Sequence, residues 1–206
     1  MSVKTPVDLW FDPFCPFAWL TSRWLLEVEK VRPIEPRWHI MSLTILNEDK
    51  DIPEEYQKLI LRALGPVRVV AAAAAKYGEQ VIGPLYTELG VRLHNQGLSK
   101  REDGLRDLVA DALTAAGLDA GLVAAMDSDE FDEAVRRSHD EGISLVGQEV
   151  GTPVIRVGDN AFFGPVINAV PKGEEAGRLW DGVLLVTGFD DFFELKRTRT
   201  GSLRFD

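Results

Sequence analysis

Residues 49–149 carry helical periodicity with no strand signal among them, while strand-like segments lie on both sides. A helical run of that length does not continue a sheet, so it must be inserted into one. Within it, Asp51-Ile52-Pro53 starts a helix and Gly65-Pro66 stops it. A second helix runs from Val67 to Lys76, with the alanines at 71–75 as a closely packed face, and Gly78 ends it. Ser99 and Glu102 form a capping box ahead of Leu105, Leu108, Val109, Ala112 and Leu113, and Gly117 closes that helix. Asp127 and Glu130 open another, which carries Phe131, Ala134, Val135 and Ser138.

Outside this block the signals are those of a small sheet. Val7, Leu9 and Phe11 alternate with Asp8 and Trp10 as a first strand, which Asp12-Pro13 ends. Leu20, Trp24, Leu25 and Val28 then share one face of a helix that begins at Pro16, a residue suited to the first helical position. After Pro33 and Pro36, RWHIMSL reads as a second strand with Trp38 and Ile40 on one side. GTPVIRVG and NAFFGPVI form a hairpin across Gly158-Asp159-Asn160, and a last helix spans about Gly173 to Val186. A chain of 206 residues favours one core with an inserted subdomain. The expected division is a β-α-β, β-β-α domain of residues 1–48 and 150–206 around a helical unit of residues 49–149.

Charge and cysteine content narrow the function. The net charge of −10 leaves no basic surface to neutralise phosphates, which argues against nucleic acid. Lys196, Arg197 and Arg199 read as a solvated tail. The first residues form no long apolar stretch, so neither a signal peptide nor a membrane anchor is expected. Cys15 is the single cysteine, so no internal disulfide forms and a reducing, cytoplasmic setting is expected. The three histidines have no metal-ligand spacing, and no phosphate loop or dinucleotide fingerprint occurs, so neither a metal nor a nucleotide cofactor is expected.

Cys15 falls where the first strand gives way to the first helix. A helix N-terminus presents unpaired N–H groups and partial positive charge, and both favour thiolate. The expectation is a nucleophilic thiol that titrates below the ~8.5 of free cysteine. The competing reading is a buried, inert cysteine that behaves as a small hydrophobe.

The strand and helix order, the junctional cysteine and GTP before the third strand resemble a thioredoxin fold with a large helical insertion, as in the DsbA-like superfamily. The segments DLWFDPFCPFAWLTSRWLLEVEKVR, MSLTILNE, LHNQG, VGTPVI, FFGPV, GEEAGRLWD and FFELKRTRT are similar to the actinobacterial DsbA-family proteins described as mycothiol-dependent nitroreductases. That resemblance implies an oxidoreductase with Cys15 as nucleophile and mycothiol or another low-molecular-weight thiol as co-substrate. It also implies a cis Pro153, with Thr152 docking the thiol ligand through its main chain. The well-known members carry Cys-Pro-Trp-Cys, whereas this chain has Cys15-Pro16-Phe17-Ala18. The resolving cysteine is therefore missing. The alanine instead resembles the kappa-class glutathione transferases and hydroxychromene carboxylate isomerases, whose motif is Ser-Pro-(Phe/Tyr)-(Ala/Ser).

The helical unit is expected to cover the thiol. His94 and Asn95 lead the polar pocket candidates, Asn47 and Tyr56 follow, and Trp10, Phe17 and Trp19 are candidates for the apolar wall. Three functions stay open: a monothiol oxidoreductase acting on disulfides or small electrophilic or nitro compounds, a thiol-dependent transferase or isomerase, and a non-catalytic binding protein. The expected partners are the thiol and a small-molecule or disulfide substrate, with a homodimer among the assemblies left open.

Overall fold

The computed structural model describes residues 3–101 and 103–205. Among these residues four strands form one sheet, β1 (Thr5–Phe11), β2 (Ile34–Ile40), β3 (Val154–Val157) and β4 (Asn160–Phe163), in the order β2-β1-β3-β4. β1 runs parallel to β2 and antiparallel to β3, and β3 pairs antiparallel with β4. Helix α1 (Pro16–Glu29) makes the crossover between β1 and β2, and α7 (Gly173–Thr187) follows β4. This is the thioredoxin arrangement, with the helical block between β2 and β3. Pro36 lies inside β2 and not ahead of it as expected. β2 is an edge strand, a setting where a strand tolerates a missing N–H.

The helices of the block are α2 (Leu43–Leu46), α3 (Glu54–Tyr77), α4 (Ile82–Gly90), α5 (Leu105–Ala115) and α6 (Asp132–Ser144). Three expectations need correction. Gly65-Pro66 does not stop a helix, because α3 runs through Pro66. Ala63, Pro66, Val67, Val69 and Val70 are all buried there, and the packing of that face outweighs the lost backbone bond. Ser99 does not cap α5: it lies in the single 3₁₀ turn Leu98–Lys100, and α5 begins after Gly104. Glu102, the other half of that capping box, lies outside the described residues. Asp127 likewise closes a 3₁₀ stretch, Ala120–Asp127, while α6 starts five residues later at Asp132.

The alternation in β1 divides the interior. Val7, Leu9 and Phe11 face the main core with Trp24, Leu25 and Val28 of α1 and with Val67, Leu85 and Leu89 of the block. Trp24 meets Trp180 of α7 with ring centroids 5.7 Å apart. Trp10 faces the other way, into a smaller cluster of Met41, Leu46, Ile143 and Val154. There α6 comes so close that a Cβ on Gly142 would lie 2.6 Å from the indole. None of the described helices is long and apolar enough to cross a membrane.

Candidate active site

Cys15 occupies the N-cap of α1 with extended backbone, and Pro16 takes the first turn. Asp12 shapes the approach. Its main-chain oxygen accepts from the Cys15 N–H at 2.9 Å. Its carboxylate accepts from the N–H groups of Phe14 and Leu43, both at 2.8 Å. One buried carboxylate thus ties the β1–α1 turn to the start of α2. Burial lifts its pKa to about 7, with the two N–H donors pulling the other way.

The sulfur sits between two backbone groups. It accepts from the Ala18 N–H at 3.5 Å, and its S–H donates to the carbonyl of Thr152 at 3.2 Å. The Thr152 hydroxyl donates to the carbonyl of Trp10, which fixes that loop to β1. The Thr152–Pro153 bond is cis, and so is Gly164–Pro165, which the sequence did not signal.

The expected low pKa is overturned. Cys15 is only 6% exposed, and burial raises its thiol to about 12. The Ala18 N–H opposes that rise, and the nearby Asp12 charge adds to it. The N–H groups of Ala18 and Phe17 at the helix end offset part of the desolvation of a thiolate, and here desolvation is the larger effect.

Several of the pocket candidates gather here. His94 and Asn95 lie on a widened π-type turn, Val91–Asn95, that continues α4. His94 is turned inward and donates from Nε2 to the carbonyl of Pro13 at 2.8 Å. Burial pulls its pKa down to about 4, so it is neutral at physiological pH. Asn95 accepts from the indole N–H of Trp19 at 3.0 Å. Trp19 is buried, and Gly90 leaves no room for a side chain against its ring. Ala18 is fully buried beside the sulfur, while Phe17 is partly exposed. Tyr56, at the start of α3, has its hydroxyl pKa raised by burial and by the charges of Cys15 and Asp12, which places it in electrostatic reach of the thiol.

Two candidates fall outside this group. Trp10 stacks on His39 at 4.7 Å on the opposite face of the sheet and belongs to the smaller cluster. Asn47 is the C-cap of α2, and its side chain donates to Leu43 O at 2.7 Å within its own turn. Asp12, which in the sequence marks only the end of a strand, and the C-terminal tail carry no motif or periodicity that assigns them to the site. Arg199 is exposed, yet its guanidinium lies 5.0 Å over the Phe17 ring. Phe205 stacks on His94 at 5.7 Å, and its carbonyl accepts from the Asn95 amide. The basic residues of the tail are exposed, as expected, while Arg199 and Phe205 touch the edge of the site.

A family model described as "Rv2466c-like: Mycothiol-dependent nitroreductase Rv2466c" matches residues 14–197. The chain belongs to that family. Its description is that of a thiol-dependent oxidoreductase. A relative from Mycobacterium tuberculosis (strain ATCC 25618 / H37Rv), "Uncharacterized protein Rv2286c", is 28% identical over 198 residues, covering 95% of this chain and 83% of that protein. Among solved structures, cytosolic disulfide reductase DsbM from Pseudomonas aeruginosa with GSH has a TM-score of 0.56 at 15% identity, over 87% of this chain and 99% of that one. A probable DsbA oxidoreductase from Streptomyces coelicolor scores 0.55 at 15% identity, with 94% of each chain covered. A 2-hydroxychromene-2-carboxylate isomerase scores 0.55 at 17% identity, over 90% and 98%. At these identities the structures speak for the fold, which is DsbA-like.

Proposed function

We propose that this protein is a monothiol, thiol-dependent oxidoreductase in which Cys15 exchanges with disulfides and mycothiol, or a similar small thiol, completes the cycle. The observation that carries this reading is the seat of Cys15 at the α1 N-cap, between the Ala18 N–H and the Thr152 carbonyl, with Ala18 where a second thiol would resolve the reaction. The Cys15 thiol gives up its proton and attacks one sulfur of R–S–S–R′. A Cys15–S–S–R bond forms, and R′–S⁻ leaves and takes up a proton. A small-molecule thiolate then attacks the R sulfur, so that Cys15 is released as thiolate and R leaves as a new disulfide.

The chain's own groups serve each stage. The Thr152 carbonyl holds the S–H proton at rest, and the Ala18 N–H remains as donor when the sulfur turns anionic. The pKa of about 12 makes the resting thiol a protected form, and displacing the covering groups is what activates it. His94, Asn95, Tyr56 and Trp19 are the groups we assign to the pocket wall, with Thr152 as the main-chain dock for the thiol ligand. Small electrophiles and nitro compounds are further acceptors under this reading, supported by the description of the family. Exchange with a small reduced thiol fits a reducing compartment.

A second reading is a thiol-dependent transferase or isomerase, favoured by the buried, protonated Cys15 and by Ala18. One measurement separates the two. The reduced protein is incubated with oxidised mycothiol and weighed intact. The oxidoreductase reading expects one adduct on Cys15 that free mycothiol removes. Reversible mycothiol binding without an adduct supports the transferase or isomerase instead.

A further inference from the structure

Residues 196–205 hold the cations Lys196, Arg197, Arg199 and Arg204 and no acid, in a chain whose net charge is −10. Lys196 lies 3.9 Å from Glu194. Arg199 is exposed, and among the described residues it has no carboxylate partner and no hydrogen bond. Its guanidinium rests instead 5.0 Å over the ring of Phe17, next but one to Cys15 in the motif. The chain just beyond it is fastened. The Asn168 amide donates to Gly201 O at 3.0 Å, and the Arg204 N–H donates to Asn168 O at 2.8 Å. The cation is therefore held at the rim of the thiol's seat.

The other polar groups around the thiol offer no positive charge. His94 is neutral, with its pKa at about 4, and its Nε2 bonds the Pro13 carbonyl. Asn95 is uncharged, and burial raises the Tyr56 hydroxyl above its ordinary value, so it keeps its proton. Asp12 is fully buried, with its carboxylate held by the Phe14 and Leu43 N–H groups. Of the charges that act on Cys15, Asp12 raises the thiol's pKa and Arg199 lowers it, so Arg199 stands within electrostatic reach of the sulfur. An aromatic ring occupies a face of a guanidinium and leaves the edge N–H groups, whose fork fits a carboxylate. In a chain of net negative charge, such a cation decides locally whether an anion approaches.

We propose that Arg199 determines specificity at the Cys15 site by receiving a carboxylate of the disulfide that Cys15 attacks, so that the substrates are small acidic disulfides. This rests on the exchange reading above. The carboxylate docks on the guanidinium edge and brings the adjoining disulfide to Cys15. The Cys15–sulfur bond forms, the old sulfur–sulfur bond breaks, and the other half leaves as thiolate and takes up the thiol's proton. A dock made of one exposed charge favours the acid over a neutral analogue by a modest factor, which salt reduces.

The test uses pairs of probes that differ in charge, with the rate of Cys15 modification followed by intact mass. Iodoacetate and iodoacetamide alkylate the thiol with loss of iodide and a proton, whatever the protein's own reaction. Dithiodipropionate and its diamide form mixed disulfides. Within each pair the acid-to-amide rate ratio of the parent is divided by that of Arg199→Gln, which cancels the probes' own reactivities. That quotient should be roughly fivefold in both pairs and fall toward one at about 1 M salt. Arg199→Lys should keep part of the preference, and Arg197→Gln, which removes another exposed tail cation, should leave the parent's ratio unchanged. Equal slowing of acid and amide by Arg199→Gln would mean that Arg199 acts on the thiol alone. An equal effect of Arg197→Gln would mean a diffuse field. Either result overturns the proposal, as does a ratio that Arg199→Gln leaves unmoved. Mixed disulfides formed without a charge preference refute the role of Arg199 and leave the exchange reading standing. A charge preference in alkylation with no mixed disulfide from either probe refutes the exchange reading, and the substrate class with it.

Discussion

The thiol itself sets the first two predictions. Because burial raises Cys15 to about 12, its alkylation rate should climb tenfold per pH unit from neutrality to about pH 10 without a plateau. A pH series with iodoacetamide checks this, and a plateau near or below ~8.5 contradicts it. Ala18→Cys should restore the missing half of a Cys-x-x-Cys pair. The Ala18 N–H already reaches the Cys15 sulfur, and positions three apart on a helix are neighbours. Oxidation should then cost the intact mass two hydrogens, and the substitution itself should cost about 1–3 kcal/mol of stability, since an added sulfur overfills a buried site. Accumulation of a stable mixed disulfide in this variant, as in the parent, would mean that residue 18 is wrongly placed. The position of Cys15 was legible in the sequence because a strand, a Pro at the first helical position and a helix face fix it locally. Its acidity was not, because desolvation comes from Thr152 and the other covering groups, which are far away in the chain. Trp10 was a misreading of a signal that was present. The period of two puts it opposite Leu9 and Phe11, the face on which α1 packs.

At the scale of elements, the segment after α7 was the least legible. It has no period of two or of 3.6, and its basic residues read as solvated. What holds it is a set of single contacts. The Arg204 N–H donates to Asn168 O at 2.8 Å, the Asn168 amide to Gly201 O at 3.0 Å, and Phe205 rests on His94. Contacts so few over an exposed segment place it at the low end of local stability. Removing residues 190–206 should therefore leave the fold intact and speed alkylation of Cys15 roughly tenfold at fixed pH, because the cover opens at little cost. Phe205→Ala should reproduce part of that gain. An unchanged rate in the truncated chain would show that the Thr152 loop and α1 alone bury the sulfur. The helical block taught the reverse lesson. Its content was legible from periodicity, but Pro66 was overruled by the apolar face on which α3 lies.

For the whole molecule, element order was enough to give the sheet and its inserted helices, since each strand and helix carries its own period. What it did not give is how the parts meet around Cys15, where two buried groups of opposite type each hydrogen-bond to the turn at residues 12–14. Asp12 keeps its proton up to about pH 7 when folded, but near 3.8 when unfolded. Between those values the folded state binds more protons, so stability falls as pH rises. His94 does the opposite. It is protonated near 6.5 when unfolded and only near 4 when folded, so the unfolded state binds more protons and stability rises with pH over that window. His139, also lowered by burial, adds to the rise. The carboxylates held low by arginines, such as Asp132 and Asp181, act further down the scale, below their ordinary range. From pH 4 to 6.5 Asp12 thus lowers the parent's slope while the two histidines raise it, joined near the lower end by Glu27, Glu48 and Glu174, which are held below their ordinary value. His94→Phe keeps a ring against Trp19 and Phe205 but cannot titrate, and it should shift the slope of unfolding free energy downward by up to about 1.4 kcal/mol per pH unit. Asp12→Asn should shift it upward. Urea unfolding at pH 4.5, 5.5 and 6.5 measures both, and equal slopes in the parent and in His94→Phe would mean that His94 titrates alike in the folded and unfolded states, against its seat on the Pro13 carbonyl.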